Sequence, residues 1–249
     1  MALMDEFKKE RDSIKNAPLK KKLQYFWDYY RWYAFGVLFI IIAISLFIRT
    51  ASNHTETILF AMFFNTGSEE IYHEEIGQDF LTYADIEDKT QVALIDVSYH
   101  MSTNESEPGV QAAFQKLSIF TQTNQLDILG GPMDSMNACI YNTFLYDLSA
   151  VLTEEQLAKY EPYLLYADEA ILIEKQETEK KSEIYQISYP DPSKPETMEK
   201  PVPVAIDVSA CKKMQMIYPD TKEQLAVGIA QRTIHMEQAQ AFLEYLFEE

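Results

Sequence analysis

Seventeen uncharged residues, Trp32 to Ile48, lie between Arg31 and Arg49, and a stretch of this kind has few places to go. As a helix rising ~1.5 Å per residue it covers about 26 Å, close to the roughly 30 Å hydrocarbon core of a bilayer. From Ala34 to Ile48 the only polar side chain is Ser45, so the polar face of a helix packed on a soluble core is missing. Tyr25, Phe26, Trp27, Tyr29, Tyr30, Trp32 and Tyr33 crowd the near side, as in the aromatic belt of a membrane interface. Lys8, Lys9, Arg11, Lys15, Lys20, Lys21, Lys22 and Arg31 precede the stretch, and after Arg49 no Lys or Arg occurs until Lys89. The positive-inside rule then predicts a single-pass protein of the cell membrane, with a cytoplasmic N-terminus and residues 50–249 outside. A cleaved signal peptide fits less well, because the apolar region is too long and Arg49 occupies a place where cleavage wants a small residue.

The expected organisation is a cytoplasmic tail (1–25), a transmembrane helix with its aromatic belt (26–49), a linker (50–56) and an extracytoplasmic α/β domain (57–249). Residues 3–16 read as a highly charged helix or a fluctuating one, and Pro18 breaks or restarts it near Asn16. Lys20, Lys21, Lys22, Trp27, Arg31, Trp32 and Arg49 are the expected membrane-interface residues, the lysines resting against anionic headgroups. The tail reads as an orientation signal rather than as a docking site.

Formal net charge is −18, and it is unevenly divided. Residues 1–31 hold eight basic and five acidic residues, whereas residues 49–249 hold thirteen basic and thirty-four acidic, about −21. No basic stripe is present, which argues against nucleic acid as a partner. Two cysteines, Cys139 and Cys211, both fall in the external part; they permit either one disulfide or two packed thiols. Neither belongs to a C-x-x-C pair, so they give no metal site.

Along the external part, residues 57–64 form a nearly continuous apolar run ended by Asn65-Thr66-Gly67-Ser68, the pattern of a strand buried on both faces. Residues 69–84 show helical spacing, with Ser68 as the expected N-cap. Strands follow at 91–97 and 126–130, with helices at 109–124 and from about Asp134, and the alternation predicts a parallel α/β sheet. Thr153 and Gln156 form a capping box for a short helix. Residues 169–174 and 183–189 read as a hairpin with a charged tip at 175–182. A five-proline loop (Pro190, Pro192, Pro195, Pro201, Pro203) leads to strands at 204–208 and 225–230 and a closing helix at 233–247.

The run Leu126-Asp-Ile-Leu-Gly-Gly-Pro-Met-Asp134, the turn Leu145-Tyr-Asp-Leu-Ser149, Pro203-Val-Ala-Ile-Asp207 and the closing Ala239-Gln-Ala-Phe-Leu-Glu-Tyr-Leu246 together resemble type 2 bacterial extracellular solute-binding proteins. The resemblance covers most of residues 57–249 in order. It implies a periplasmic-binding-protein-like, doubly wound α/β sheet in a bacterial protein. Two departures are a helical anchor, where the family's members are lipoproteins or secreted, and a shortened second lobe between Tyr166 and Val202. For a bacterial protein the sequons at Asn53 and Asn104 carry no weight.

In open α/β sheets, ligands lie beyond the carboxyl ends of the strands. The candidate ligand-binding residues are therefore Asn65, Thr66, Ser68, Asp96, Ser98, Gly130, Gly131, Asp134 and Ser135. The two glycines let a ligand approach the backbone, and the helix start at Asp134-Ser135 offers N–H groups to an anion. The plainer alternative is a tight glycine turn with Asp134 capping its own helix. Histidines 54, 73, 100 and 235 are scattered, and Glu70-Ile-Tyr-His73 has no second Glu-x-x-His pair. No nucleophile or phosphate-loop motif occurs, so neither catalysis nor a cofactor is expected. Expected partners are the lipid bilayer, a small-molecule solute and a membrane transporter or other membrane protein. The expected function is an anchored, non-catalytic solute-binding or sensing domain; the alternative is a degenerate binding fold acting as an interaction subunit of a membrane complex.

Overall fold

A computed structural model of the protein describes residues 18–52, 55–101, 110–180 and 189–248. The expected tail helix, the sequon asparagines and His54 lie outside the described residues, as do residues 181–188, which hold the end of the expected hairpin tip and most of its second strand; residues 175–180 of that tip are helical instead. The chain divides into two compact units, Met1–His54 and Thr55–Glu249.

The described residues of the first unit form one helix, α1 (Leu19–Ser52). It begins directly after Pro18, whose carbonyl accepts from the amides of Lys21 and Lys22 at 2.9 and 3.3 Å. A proline costs nothing there, because the first-turn amides have no intrahelical partners. Apolar side chains such as Trp32, Phe39 and Leu46 are exposed at 74%, 72% and 59%, and Arg31 lies over the Trp32 ring at 5.7 Å. Among the described residues no helix is long and apolar enough to cross a membrane. The described side chains of this helix stop at Leu46, short of the expected end at Ile48. Those of Tyr25, Phe26, Tyr29, Tyr30 and Arg49 also lie outside the described residues.

The second unit is built on six strands: β1 (Glu56–Phe64), β2 (Gln91–Tyr99), β3 (Ile128–Pro132), β4 (Leu164–Asp168), β5 (Pro201–Asp207) and β6 (Leu225–Ile229). Their order is β2-β1-β3-β6-β5-β4. The first three run parallel, while β6 lies antiparallel to both β3 and β5, and β4 antiparallel to β5. The sheet is thus mixed and not wholly parallel as expected. The helices are α2 (Glu74–Tyr83), α3 (Val110–Gln122), α4 (Met133–Ile140), α5 (Leu148–Val151), α6 (Glu154–Tyr160), α7 (Glu169–Lys180), α8 (Lys212–Ile217) and α9 (Met236–Leu246).

Period-two alternation sends the residues of β1 into two separate cores. Leu59, Ala61 and Phe63 pack with Ile76 and Phe80 of α2, Met214 of α8 and Phe242 of α9. Phe60, Met62 and Phe64 pack with Leu117 of α3 and Met136 and Ile140 of α4 on the other face. Double burial explains why the strand reads as an unbroken apolar run. Cys211 sits in the first core and Cys139 in the second; both are free and buried, so no disulfide joins them.

Three further expectations are corrected. Residues 169–174 form the start of α7 and not a strand, since Ile171 and Leu172 pack against the second core from a helix. The helix expected from residue 69 starts only at Glu74, with His73 as its N-cap: its Nδ1 accepts from Ile76 N at 3.4 Å. Residues 71–73 instead line the outer edge of β2, where Val97 N donates to Ile71 O and His73 N to Ile95 O. Ser68 caps no helix and accepts from Glu70 N at 3.1 Å. The Thr153–Gln156 capping box is present at the head of α6.

Candidate functional site

Three parallel strands bring their carboxyl ends to one edge of the sheet, at Phe64, Tyr99 and Pro132. The antiparallel strands place the start of β6 and the end of β5 at the same edge, with Leu225 opposite Pro132 and Ala226 opposite Asp207. The loop after α8 therefore returns beside the turn after β1. Between them lies a cleft of about 510 Å³ lined by residues 65–68, Glu70, His73, Val97 and residues 216–221. A volume of this size falls within the roughly 300–1,000 Å³ of small-molecule sites.

Tyr218 ties the two walls together. Its hydroxyl donates to Phe64 O at 2.6 Å, across 154 residues of sequence. Burial pushes that hydroxyl far above the usual tyrosine range, so it stays protonated and serves as a fixed donor. Buried Val97, Ile217 and Tyr218 form an apolar floor. Met216, Glu70 and Asp220 stand exposed at the rim.

The wall after β1 is held by side-chain hydrogen bonds. Asn65 adopts a left-handed backbone (φ 55°), a conformation asparagine tolerates better than most residues. Its Nδ2 donates to Met101 O and Ser135 Oγ, both at 2.8 Å, and its Oδ1 accepts from Met101 N at 2.9 Å. Thr66 Oγ1 donates to Val97 O at 2.6 Å and accepts from Ser68 N at 3.0 Å. Asn65 and Ser135, both expected to touch a ligand, thus touch each other, and their polar groups are spent on holding the wall.

The remaining expected residues divide. Ser68 lines the cleft with Asn65 and Thr66. Asp96 and Ser98 do not: Asp96 is buried and Oδ1 accepts from Ser98 N and Oγ at 2.9 and 2.8 Å, a closed local turn. Gly130 and Gly131 lie within β3 and serve packing. A Cβ at Gly130 would stand 2.5 Å from Phe63 Cε1 and 2.9 Å from Val227 Cγ2, and one at Gly131 3.1 Å from Phe64 Cβ. At the start of α4 the first amide is engaged, Met133 N donating to Gln224 O at 2.9 Å, and the N-cap is Pro132. Asp134 is exposed in its first turn and does not cap it.

Sequence reasoning missed Glu70 and His73 as cleft residues, and the whole wall from Met216 to Thr221. The only local signal was Pro219-Asp220-Thr221, a turn signature. It also missed a second polar cluster, at the opposite end of β3. Fully buried Asp127 accepts from Phe60 N at 2.8 Å, from the Thr233 hydroxyl and from His235 Nδ1 at 3.1 Å. Its backbone carbonyl accepts from Ala230 N at 2.8 Å, so one residue joins β1, β3, the end of β6 and the approach to α9. Among the described residues no group of three His, Cys, Asp or Glu side chains could hold a metal ion. Of the expected interface residues, Lys20, Lys21, Lys22, Trp27, Arg31 and Trp32 are exposed on α1.

No protein-family model, curated protein or solved structure matches this chain.

Proposed function

We propose that the chain is a membrane-anchored, non-catalytic protein whose extracytoplasmic unit binds or senses a small solute. The observation that carries this reading is the cleft at the carboxyl edge of β1 and β2. It has the size of a solute site, an apolar floor and a charged rim, and its walls are locked by Asn65, Thr66 and Tyr218. Prearranged walls reduce the ordering cost of binding. The anchor is supported by the uncharged run Trp32–Ile48 with its one-sided basic flank, and by the exposure of the apolar side chains of α1. A reduced type 2 solute-binding fold is consistent with three parallel strands backed by helices and with a cleft at their carboxyl ends. In this reading the cleft works open, on a single sheet, and presents its solute to a membrane transporter or reports it.

Thermal unfolding of the full chain in detergent, against amino acids, amines, sugars and anions, tests the proposal. A ligand at a hundred times its dissociation constant adds about 2.7 kcal/mol, a rise of roughly 5–11 °C for a unit this size. No rise across the panel defeats the solute reading. The second reading, a docking subunit of a membrane complex, rests on Ile71, Tyr72 and Met216, exposed at 60%, 42% and 43% at and beside the cleft.

A further inference from the structure

We infer that the cleft takes an organic cation, a compact apolar body carrying an ammonium or guanidinium group. The inference rests on the solute-binding reading and names its ligand class. The neutral polar groups of the floor and inner wall are already engaged: Asn65 with Met101 and Ser135, Thr66 with Val97 and Ser68, and the Tyr218 hydroxyl with Phe64 O. His73 Nδ1 is engaged as well, accepting from Ile76 N at 3.4 Å. Among the described residues, the side chains of Glu70 and Asp220 make no hydrogen bond or ion pair, and no Lys or Arg lines the cleft.

The uncommitted charge of the cleft is therefore entirely negative and stands at the rim, while Val97, Ile217 and Tyr218 form the floor. An anion would meet two carboxylates with no cation to offset them, and like charges at close range are costly. A sugar brings no positive charge to set against the two free carboxylates. An amine on a hydrocarbon or aromatic body matches both layers. The −21 charge of residues 49–249 adds long-range attraction for cations.

Calorimetric titration of the full chain in detergent at low salt, with phenethylamine, choline and agmatine against glucose, L-glutamate and inorganic phosphate, tests this. The amines should bind and the others should not. Glu70→Gln and Asp220→Asn should each weaken amine binding by roughly 3–5-fold, and together by about tenfold or more. Both side chains are exposed and unbonded, so the unfolding midpoint should not move. Glu177→Gln, on the exposed surface of α7, controls for general attraction to an acidic protein and should change nothing. Binding of a neutral or anionic compound overturns the cation class and leaves a solute-binding cleft. Amine binding that Glu70→Gln and Asp220→Asn do not weaken overturns the assignment to this cleft. Binding of no compound overturns both this inference and the solute reading.

Discussion

The two halves of the sheet contrast sharply. In the half made of β2, β1 and β3 all strands run the same way, each connection carries a helix, and the carboxyl ends form one wall of the cleft. In the half made of β6, β5 and β4 neighbours alternate in direction. That half reaches the cleft through the end of α8 and the loop after it, pinned by Tyr218. A parallel set gathers all its carboxyl ends at one edge by geometry, whereas an antiparallel set sends successive carboxyl ends to opposite edges. The cleft exists because one loop of the second half meets the edge built by the first.

The seam between the halves should be the most sensitive place to cut. Asp127→Ala removes the buried carboxylate that gathers Phe60 N, Thr233 and His235 beside the β3–β6 pairing, and should cost about 3–5 kcal/mol in denaturant unfolding of the full chain. A loss below about 1 kcal/mol would mean that the halves are joined by apolar packing alone. Within the parallel half, Asn65→Ala strips three hydrogen bonds and puts a less tolerant residue at φ 55°. A cost of about 2–3 kcal/mol is expected, together with weakened ligand binding as the wall loosens. Asn65→Gly, which keeps the backbone conformation, separates the two contributions.

Within the antiparallel half the smallest effect is expected, and it should depend on pH. Burial raises the carboxyl pKa of Asp168, but amide donors from Glu199, Lys200 and Ala170 outweigh it and the net direction is down. A lowered folded pKa means a stabilising contribution that is complete above the usual value near 3.8 and is lost as pH falls through the folded one. Asp168→Asn should therefore cost about 1–2 kcal/mol at neutral pH, and the gap to the parent chain should narrow as pH drops below about 4. A gap that stays constant with pH would assign the loss to altered packing instead.

How much was legible in advance followed the range of the interaction involved. Local signals read correctly: the double-sided burial of β1, a helix boundary at Pro18, the capping box at Thr153 and the position of α9 each depend on residues a few places apart. The stretch Ala170-Ile-Leu-Ile173 misled, because a short apolar run fits a buried strand and a helix packed on one side equally well. Its state was decided by the second core, which lies far away in sequence. The candidate site was half legible. The carboxyl-edge rule located residues 65–68, yet it assigned ligand contacts to Asn65 and Ser135, which bond to each other. It also took Gly130 and Gly131 for points of ligand approach, when Phe63, Phe64 and Val227 occupy that space.

By itself, then, the sequence determined the apolar run with its lopsided charges, the strand–helix alternation of the first half and the acidity of residues 49–249. These rest on composition and on periodicities of two and of about four residues, which any stretch of chain carries within itself. Only the tertiary structure decided the direction of β4, β5 and β6, the helical state of α7, the placing of the two cysteines in opposite cores, and the meeting of Glu70 with Asp220 around one cleft. Each of these depends on contacts between residues tens to more than a hundred positions apart. No local pattern encodes which of several distant partners a strand end or a loop will find when the cores close.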